Sequence, residues 1–205
     1  VGADVKFGLG SNLTVNATIN PDFGQVEVDP AVVNLTQFET FYQEKRPFFI
    51  EGSNYFNFGQ SGANNNWGFN FGTPDFFYTR RVGRSPRGDV QHSGFKDIPR
   101  NTSILGAAKI SGKIAEGWSL ATVQAFTERE YGRVDDNGAR YKDIVEPFSY
   151  YGALRSLREF ESGRYGVGVM GTAAIHDLNE PYLLGAFNKR SFSAGLDGWT
   201  HIDSA

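Results

Sequence analysis

A strict alternation of apolar and polar residues from Leu13 to Ile19 limits the fold of this chain more than any other feature. Leu, Val, Ala and Ile occupy every second position of this segment, and only Thr and Asn stand between them. Alternate residues point to opposite faces in a β-strand, whereas an apolar helix face would recur every three to four residues. The segment is therefore predicted to be a strand with one apolar and one polar face.

The same alternation recurs along the chain, and turns that contain Gly separate several of the segments. The predicted strands lie at about 3–9, 12–20, 104–114, 118–129, 149–160, 164–176 and 189–202. In the third of these strands, Ile104 is predicted to share the apolar face with Ala108 and Ile110, opposite Lys109. Asp197 is predicted on the polar face of the seventh strand, and the fifth strand, with Arg155, alternates poorly. The polar connection between the fourth and fifth strands contains Asp-Asn-Gly, which signals a turn. Gly accounts for 25 of the 205 residues and aromatic residues for 15%, which favours strands and turns over helices. A chain of this length can form one all-β domain.

The lengths of the connections indicate how the strands are arranged. In an antiparallel meander, the joins after the first, third and fifth strands are short and the others are long, so the two kinds emerge at opposite ends of the sheet. This asymmetry is typical of bacterial outer-membrane barrels, whose strands alternate between apolar outer and polar inner residues. We expect an all-β, antiparallel up-and-down meander that is part of an outer-membrane-type β-barrel. Because such barrels have an even strand count, seven strands indicate a piece of a longer polypeptide.

The connection at 21–103 is the longest and shows no sustained helical or strand period. It is rich in Phe, Tyr, Gly and Asn and contains two clusters of charged residues. A segment of this length without regular structure is usually a functional loop rather than an ordinary connection. We predict an irregular insert that acts as a plug inside the barrel or as a cap over it.

The composition excludes several classes of function. The chain has no Cys, which rules out disulfides, thiolate metal sites and Cys nucleophiles. The net charge of -3 and the lack of a long basic stripe argue against nucleic acid as a partner. No apolar run is long enough for a transmembrane helix. The three His residues, His92, His176 and His201, lie too far apart in sequence to indicate a metal site, and we expect neither a metal nor a cofactor.

Three stretches of the chain resemble a known family. They are NLTVNATINPDFGQVEVDPAVVNLTQFETFYQEKRPFFIEG from Asn12 to Gly52, FFYTRRVGR, and ILGAAKISGK. They resemble the uncharacterised family of bacterial proteins that joins a carbohydrate-binding family nine-like β-sandwich to a C-terminal outer-membrane β-barrel, and looser similarity continues through Ser204. The resemblance implies that this chain is the early part of the barrel region, with the sugar-binding module upstream and further strands downstream. It implies no particular chemistry.

Carboxylates of the insert are the candidates for catalysis or metal binding: Asp22, Glu27, Asp29, Glu39, Glu44 and Glu51. A glycosidase needs one protonated and one ionised carboxyl group, and Glu39, Glu44 and Glu51 are the weak candidates for such a pair. Asp22, Glu27 and Asp29 form a conceivable Ca²⁺ ligand set, without the loop pattern of an EF-hand. Because loops are often acidic for solubility alone, we favour a protein without catalytic residues.

Four arginines, Arg80, Arg81, Arg84 and Arg87, follow an aromatic run in the insert. In one interpretation they form a cationic patch that holds phosphate, sulfate or uronate groups. In the other, they pair with Glu39, Glu44 and Glu51 and fasten the insert to the polar wall. We favour the second, because irregular backbone inside a barrel needs polar partners.

Trp67 stands among Phe and Asn residues of the insert. This group could be a sugar-stacking surface, the insert's own small core, or part of an aromatic girdle, and the sequence favours none of them. The candidate ligand-binding residues are therefore Trp67, Arg80, Arg81 and Arg84.

These observations together favour a segment of a bacterial outer-membrane β-barrel, either a gated or plugged channel or a porin-like protein related to surface glycans. Its expected partners are outer-membrane lipid and a poly- or oligosaccharide. The alternatives are a carbohydrate-binding β module and an accessory domain of a glycan hydrolase.

Overall fold

The computed structural model describes residues 2–21, 41–59 and 76–202, and most of these residues lie in antiparallel strands. In chain order the strands are β1 (Ala3–Leu9), β2 (Leu13–Ile19), β3 (Phe95–Asp97), β4 (Ile104–Ala115), β5 (Trp118–Thr127), β6 (Glu130–Asp136), β7 (Ala139–Glu146), β8 (Ser149–Phe160), β9 (Tyr165–His176) and β10 (Arg190–Thr200). The one α-helix, α1 (Pro47–Ile50), and four short 3₁₀ turns complete the described elements. None of the described helices could span a membrane.

Seven strands form one meandering sheet in the order β1-β2-β4-β5-β8-β9-β10, and every neighbouring pair is antiparallel. The predicted antiparallel all-β class is confirmed, and these seven strands correspond to the seven predicted segments. The sheet is open within the described residues, because β1 and β10 are its two edges and do not pair with each other. Since β1 and β10 run in the same direction, antiparallel closure would need an odd number of further strands between them.

The strand register gives the sheet two chemically different faces. One row across the sheet reads Phe7, Val15, Ile110, Thr122, Leu154, Gly171 and Ala194. The next row, on the opposite face, reads Lys6, Asn16, Lys109, Val123, Ala153, Thr172 and Ser193. We call the first the outer face and the second the inner face.

The described parts of the insert lie on the inner face, and the main hydrophobic core lies between them and the sheet. Phe49 of α1 and Val82 pack there against small or apolar inner-face residues, namely Ile104, Ala107, Val123, Ala125, Tyr151 and Ala153. By contrast, large apolar side chains of the outer face stay exposed, for example Leu196 at 79% and Phe192 at 68%. Among the described residues, the insert therefore covers part of the more polar face of the sheet and leaves the apolar face uncovered.

Ile104 corrects one prediction. The sequence pattern placed it on the apolar outer face, but it lies on the inner face and is part of the core. The pairing of β4 with β5 shifts register between Ile104 and Gly106, so Leu105 is an extra residue in the ladder. Such a β-bulge reverses the alternation at the point where it occurs. The sequence pattern of β4 therefore holds only after the bulge.

A second, smaller sheet has the order β3-β6-β7. The connection between the fourth and fifth predicted strands was predicted to be polar and to contain a turn. It contains the hairpin of β6 and β7. That turn is present, with positive φ at Asn137 and Gly138. Its flanking strands were missed because their exposed positions carry charged residues, which weakens the alternation. The insert at 21–103 also contains regular structure, namely α1, two 3₁₀ turns and β3.

Candidate functional site

An ion pair on the inner face connects β8, β10 and the insert. The Arg155 guanidinium contacts both carboxylate oxygens of Asp197, with 2.6 Å between Nη2 and Oδ2, and the two side chains are only 3% and 7% exposed. The Gly59 backbone N–H donates to the same carboxylate at 2.9 Å. The Phe58 ring lies 5.5 Å from the guanidinium carbon. Asp197 therefore links the wall of the sheet to one end of the described insert.

Two glycines make room for this contact. A Cβ atom on Gly168 would collide with the Arg155 guanidinium, and one on Gly195 would collide with the rings of Phe58 and Phe76. These rings lie 4.4 Å apart and occupy the recess over Gly195. Small residues at these positions allow the insert to lie directly on the sheet, which is the usual role of Gly at a close approach.

Lysines of the inner face hold a second part of the insert. The buried Lys109 ammonium donates to the carbonyl oxygens of Phe48 and Glu51. Lys6 of β1 pairs with the Glu51 carboxylate at a more exposed position. Carbonyl oxygens at the end of α1 are therefore satisfied by the wall, as irregular backbone on a covered surface requires.

Glu44 and Arg46 brace the insert internally. The Arg46 guanidinium donates to both oxygens of Glu44, at 2.8 and 2.7 Å, and to the carbonyl oxygens of Val82 and Thr79. The Thr79 hydroxyl also donates to Glu44 at 2.6 Å. Burial alone would raise the pKa of Glu44, but the hydrogen bonds and charge of Arg46 hold it below its ordinary value. These bonds therefore join the two described parts of the insert directly to each other, in addition to the contacts of the insert with the sheet.

A second polar cluster lies where the insert meets β7 and the connection from β9 to β10. The Arg87 backbone N–H donates to the Glu146 carboxylate at 3.0 Å, and the Arg87 guanidinium lies 3.9 Å from the centre of the Phe187 ring. Glu146 is almost fully buried. Burial raises its pKa, and the hydrogen bond to Arg87 and the charges of Arg87 and Arg84 oppose that rise.

The structure distributes the predicted site residues over several places. Asp22, Glu27, Asp29, Glu39 and Trp67 lie outside the described residues. Glu44 pairs with Arg46, and Glu51 pairs with Lys6. Arg80 and Arg81 belong to a 3₁₀ turn (Thr79–Arg81), and Arg84 follows it. These placements bring Arg81, Arg84 and Arg87 within electrostatic reach of one another.

The residues that hold the insert were not among the predicted sites. Their strand patterns already put Lys109 and Asp197 on the polar face, but a one-dimensional pattern does not show which charges meet across the sheet. Arg155 and Asp197 are 42 positions apart and come together only because β9 separates β8 from β10. The signal in the sequence was weak: an Arg in a strand of poor alternation and a Gly-rich neighbour.

Ser149 and His176 lie next to each other without the arrangement of a nucleophilic site. The Ser149 hydroxyl lies 2.7 Å from Nδ1 of His176 and donates to the Pro147 carbonyl at 2.9 Å. Ser149 has no exposed surface, so a substrate cannot reach it in this arrangement. The described residues contain no group of three or more His, Asp or Glu side chains suited to a metal ion.

Comparisons with known proteins gave one match. No curated protein and no solved structure matches the chain. A family model described as a domain of unknown function, DUF5916, matches residues 1–161. This range includes the first eight strands and the parts of the insert that the structure describes. The chain therefore belongs to the DUF5916 family.

Proposed function

We propose that this chain is part of an outer-membrane β-barrel and that its insert fills the barrel interior, where it limits or selects what passes. The observation that carries the proposal is the polarity of the sheet. The apolar face is uncovered, and the polar face is covered by the insert. A water-soluble sheet normally has the opposite arrangement, because exposed apolar surface of this extent is unfavourable in water.

The chemistry of the outer face supports contact with lipid. Away from the strand ends, the outer face of the seven described strands carries no charged side chain. Its polar side chains bond to one another: the Gln124 amide donates to the Thr122 hydroxyl at 2.8 Å, and that hydroxyl donates to the Ala153 carbonyl at 3.1 Å. Polar groups that face hydrocarbon need such internal partners, since no water is available.

Aromatic side chains stand at both ends of the outer face. One group lies at the end with long connections and comprises Phe126, Phe148 and Tyr150; the other lies at the end with tight turns and comprises Trp118, Phe160 and Tyr165. Trp118 and Phe126 are eight residues apart in β5. At about 3.3 Å per residue this is roughly 26 Å along the strand, or ~20 Å across the membrane at a tilt of about 40°. Outer-membrane barrels have aromatic girdles on either side of an apolar band ~25 Å tall.

The insert has the features of a plug. Its described parts lie on the inner face, where they contribute Phe49 and Val82 to the core and accept hydrogen bonds from Lys109. Lys6 and Asp197 of the sheet form charge-assisted hydrogen bonds with the insert. Such bonds are suited to the water-filled interior of a barrel. The resemblance to the barrel region of carbohydrate-binding family nine-like proteins supports the same role.

Cell fractionation of the full-length protein tests the proposal. We expect the protein in the outer-membrane fraction, with a gel mobility that changes on boiling, because a folded barrel resists detergent until it is heated. The protein is expressed in a host strain that lacks outer-membrane porins, so that host barrels do not obscure the result. Recovery of the folded protein in the soluble periplasm would contradict the proposal and would favour a soluble carbohydrate-binding module.

A further inference from the structure

Arg84 and Arg87 carry guanidinium groups that lack an ion-pair partner within the described part of the chain. Arg84 is half-buried, and no described residue accepts a hydrogen bond from its buried Nε. A buried N–H donor without an acceptor costs free energy. The position of Arg84 therefore calls for a partner that the described side chains do not supply.

The backbone around both arginines is held firmly. The Arg84 carbonyl accepts two hydrogen bonds from Thr102, from the backbone N–H at 3.0 Å and from the hydroxyl at 2.7 Å. Gly88 donates to the Val145 carbonyl at 2.8 Å, and no Cβ would fit there. With Arg87 bonded to Glu146 through its N–H, the two side chains start from positions set by the neighbouring strands. A preorganised pair of this kind loses little conformational entropy when a ligand binds.

The charges around the pair favour an anion over a cation. Arg81 adds a third positive charge close to Arg87. The acidic groups near the cluster are Glu146, which is buried and acts on Arg87, and Glu130, which acts on Glu146 and accepts a hydrogen bond from the Ser103 N–H at 2.8 Å. Both carboxylates thus accept backbone N–H groups, and neither forms an ion pair with an arginine of the cluster within the described residues.

The Phe187 ring also lines the site of the two arginines. The ring is 4% exposed, and the guanidinium carbon of Arg87 lies over it, 3.9 Å from the ring centre. A guanidinium stacked on an aromatic ring keeps its N–H edge free for a planar or tetrahedral oxyanion. The site lies at the end of the sheet from which the long connections emerge, where β2, β5 and β9 end.

We propose that Arg84 and Arg87 bind a phosphate-type oxyanion at the long-connection end of the sheet. Phosphate can reach this position from two sources, the phosphorylated headgroup of an outer-leaflet lipid or a soluble sugar phosphate, and the binding chemistry is the same for both. The proposal does not depend on the plug: an oxyanion site would exist in a soluble protein as well.

Titration of the full-length protein with inorganic phosphate tests the site directly. At low ionic strength, in a zwitterionic detergent, calorimetry should show saturable binding that equal concentrations of chloride do not reproduce. Removal of one charged partner, by Arg84→Gln or Arg87→Gln, should weaken binding by roughly 10- to 100-fold. Arg84→Lys keeps the charge but not the two-pronged geometry, so it should bind more weakly than the unchanged protein and more tightly than Arg84→Gln.

Arg133→Gln is the matched control, because Arg133 lies exposed on β6 and its loss removes the same charge from the protein. It should leave phosphate binding unchanged. The proposal would be overturned if Arg84→Gln and Arg87→Gln each bound phosphate as tightly as the unchanged protein. The absence of saturable binding would overturn it as well. Glucose 1-phosphate and micelles that contain lipid A then identify the source: competition by either one supports the site. Fractionation, which tests the membrane proposal, is a separate readout, so the two ideas can fail independently.

Discussion

Glu44 and Glu146 show how two carboxyl groups of one protein are shifted in opposite directions by their surroundings. Arg46 holds the pKa of Glu44 below its ordinary value despite the burial of the carboxylate, whereas burial raises the pKa of Glu146. Glu44 therefore stabilises the fold above about pH 4.5, and this contribution is lost as the pH falls through its lower folded-state pKa. Glu146 has the opposite sign: stability falls as the pH rises through its higher folded-state pKa.

The same substitution at the two positions should separate these effects. Glu44→Gln should lower the free energy of unfolding at neutral pH by about 2–4 kcal/mol, because it takes a carboxylate away from a buried guanidinium. The deficit should be smaller at pH 3, because below the ordinary value of 4.5 the unfolded state takes up a proton at Glu44 before the native state does. Glu146→Gln should cost nothing or add stability at neutral pH, since Gln can still accept the Arg87 N–H. Denaturant titrations of the full-length protein at both pH values measure this, and a loss of equal size and pH dependence in both variants would contradict it.

At the scale of elements, each strand of the large sheet has one face suited to hydrocarbon and one suited to water or to the insert. β8 shows the contrast within a single strand. Leu154 is exposed on the outer face, whereas its neighbour Arg155 is buried on the inner face in the pair with Asp197. Because side chains alternate along a strand, one introduced charge has opposite consequences at adjacent positions, whereas directly paired positions of neighbouring strands lie on the same face.

Leu154→Lys places a charge in the middle of the outer face. In a lipid-facing position this should cost about 2–4 kcal/mol and reduce the amount of assembled, heat-modifiable protein in the outer membrane. Ser193→Lys is the control, since Ser193 is exposed on the inner face of β10 and its substitution adds the same charge. We expect it to assemble normally. If both variants assemble as well as the unchanged protein, the outer face does not contact lipid.

At the scale of the whole molecule, the insert and the sheet depend on each other. The sheet has little core of its own, because the main cluster of buried apolar residues includes Phe49 and Val82 of the insert. The insert is in turn held by charges of the wall, among them the buried Lys109 and Asp197. Release of the insert would therefore uncover the inner face of the sheet and remove part of the core at the same time.

Asp197→Ala should loosen the insert, because it removes the acceptor of the Gly59 N–H and leaves Arg155 buried without its carboxylate. In planar bilayers we expect the variant to conduct more often than the unchanged full-length protein. Asp89→Ala, which removes an exposed carboxylate paired with Lys96, should behave like the unchanged protein. Normal assembly of Asp197→Ala with unchanged conductance would show that the contact does not restrain the insert.

The sequence by itself determined the strands of the large sheet and their polarity. Both follow from a period of two, which is a property of neighbouring residues, and segments such as Leu13–Ile19 show it without exception. It also identified the insert as a distinct segment and Arg84 as a candidate for binding. Even the hairpin turn at Asn137 and Gly138 was visible, because that pair of residues favours positive φ.

Only the tertiary structure decided which face is covered, how Ile104 turns inward, and which charges meet. A bulge depends on the partner strand, and the contact of Asp197 with Arg155 and Gly59 joins residues that are 42 and 138 positions apart in the chain. Contacts of this kind arise from the packing of whole elements, so a local pattern does not contain them. For the same reason, the sequence grouped Arg84 with Arg87, but only the tertiary structure brought Glu146 and Phe187 to them.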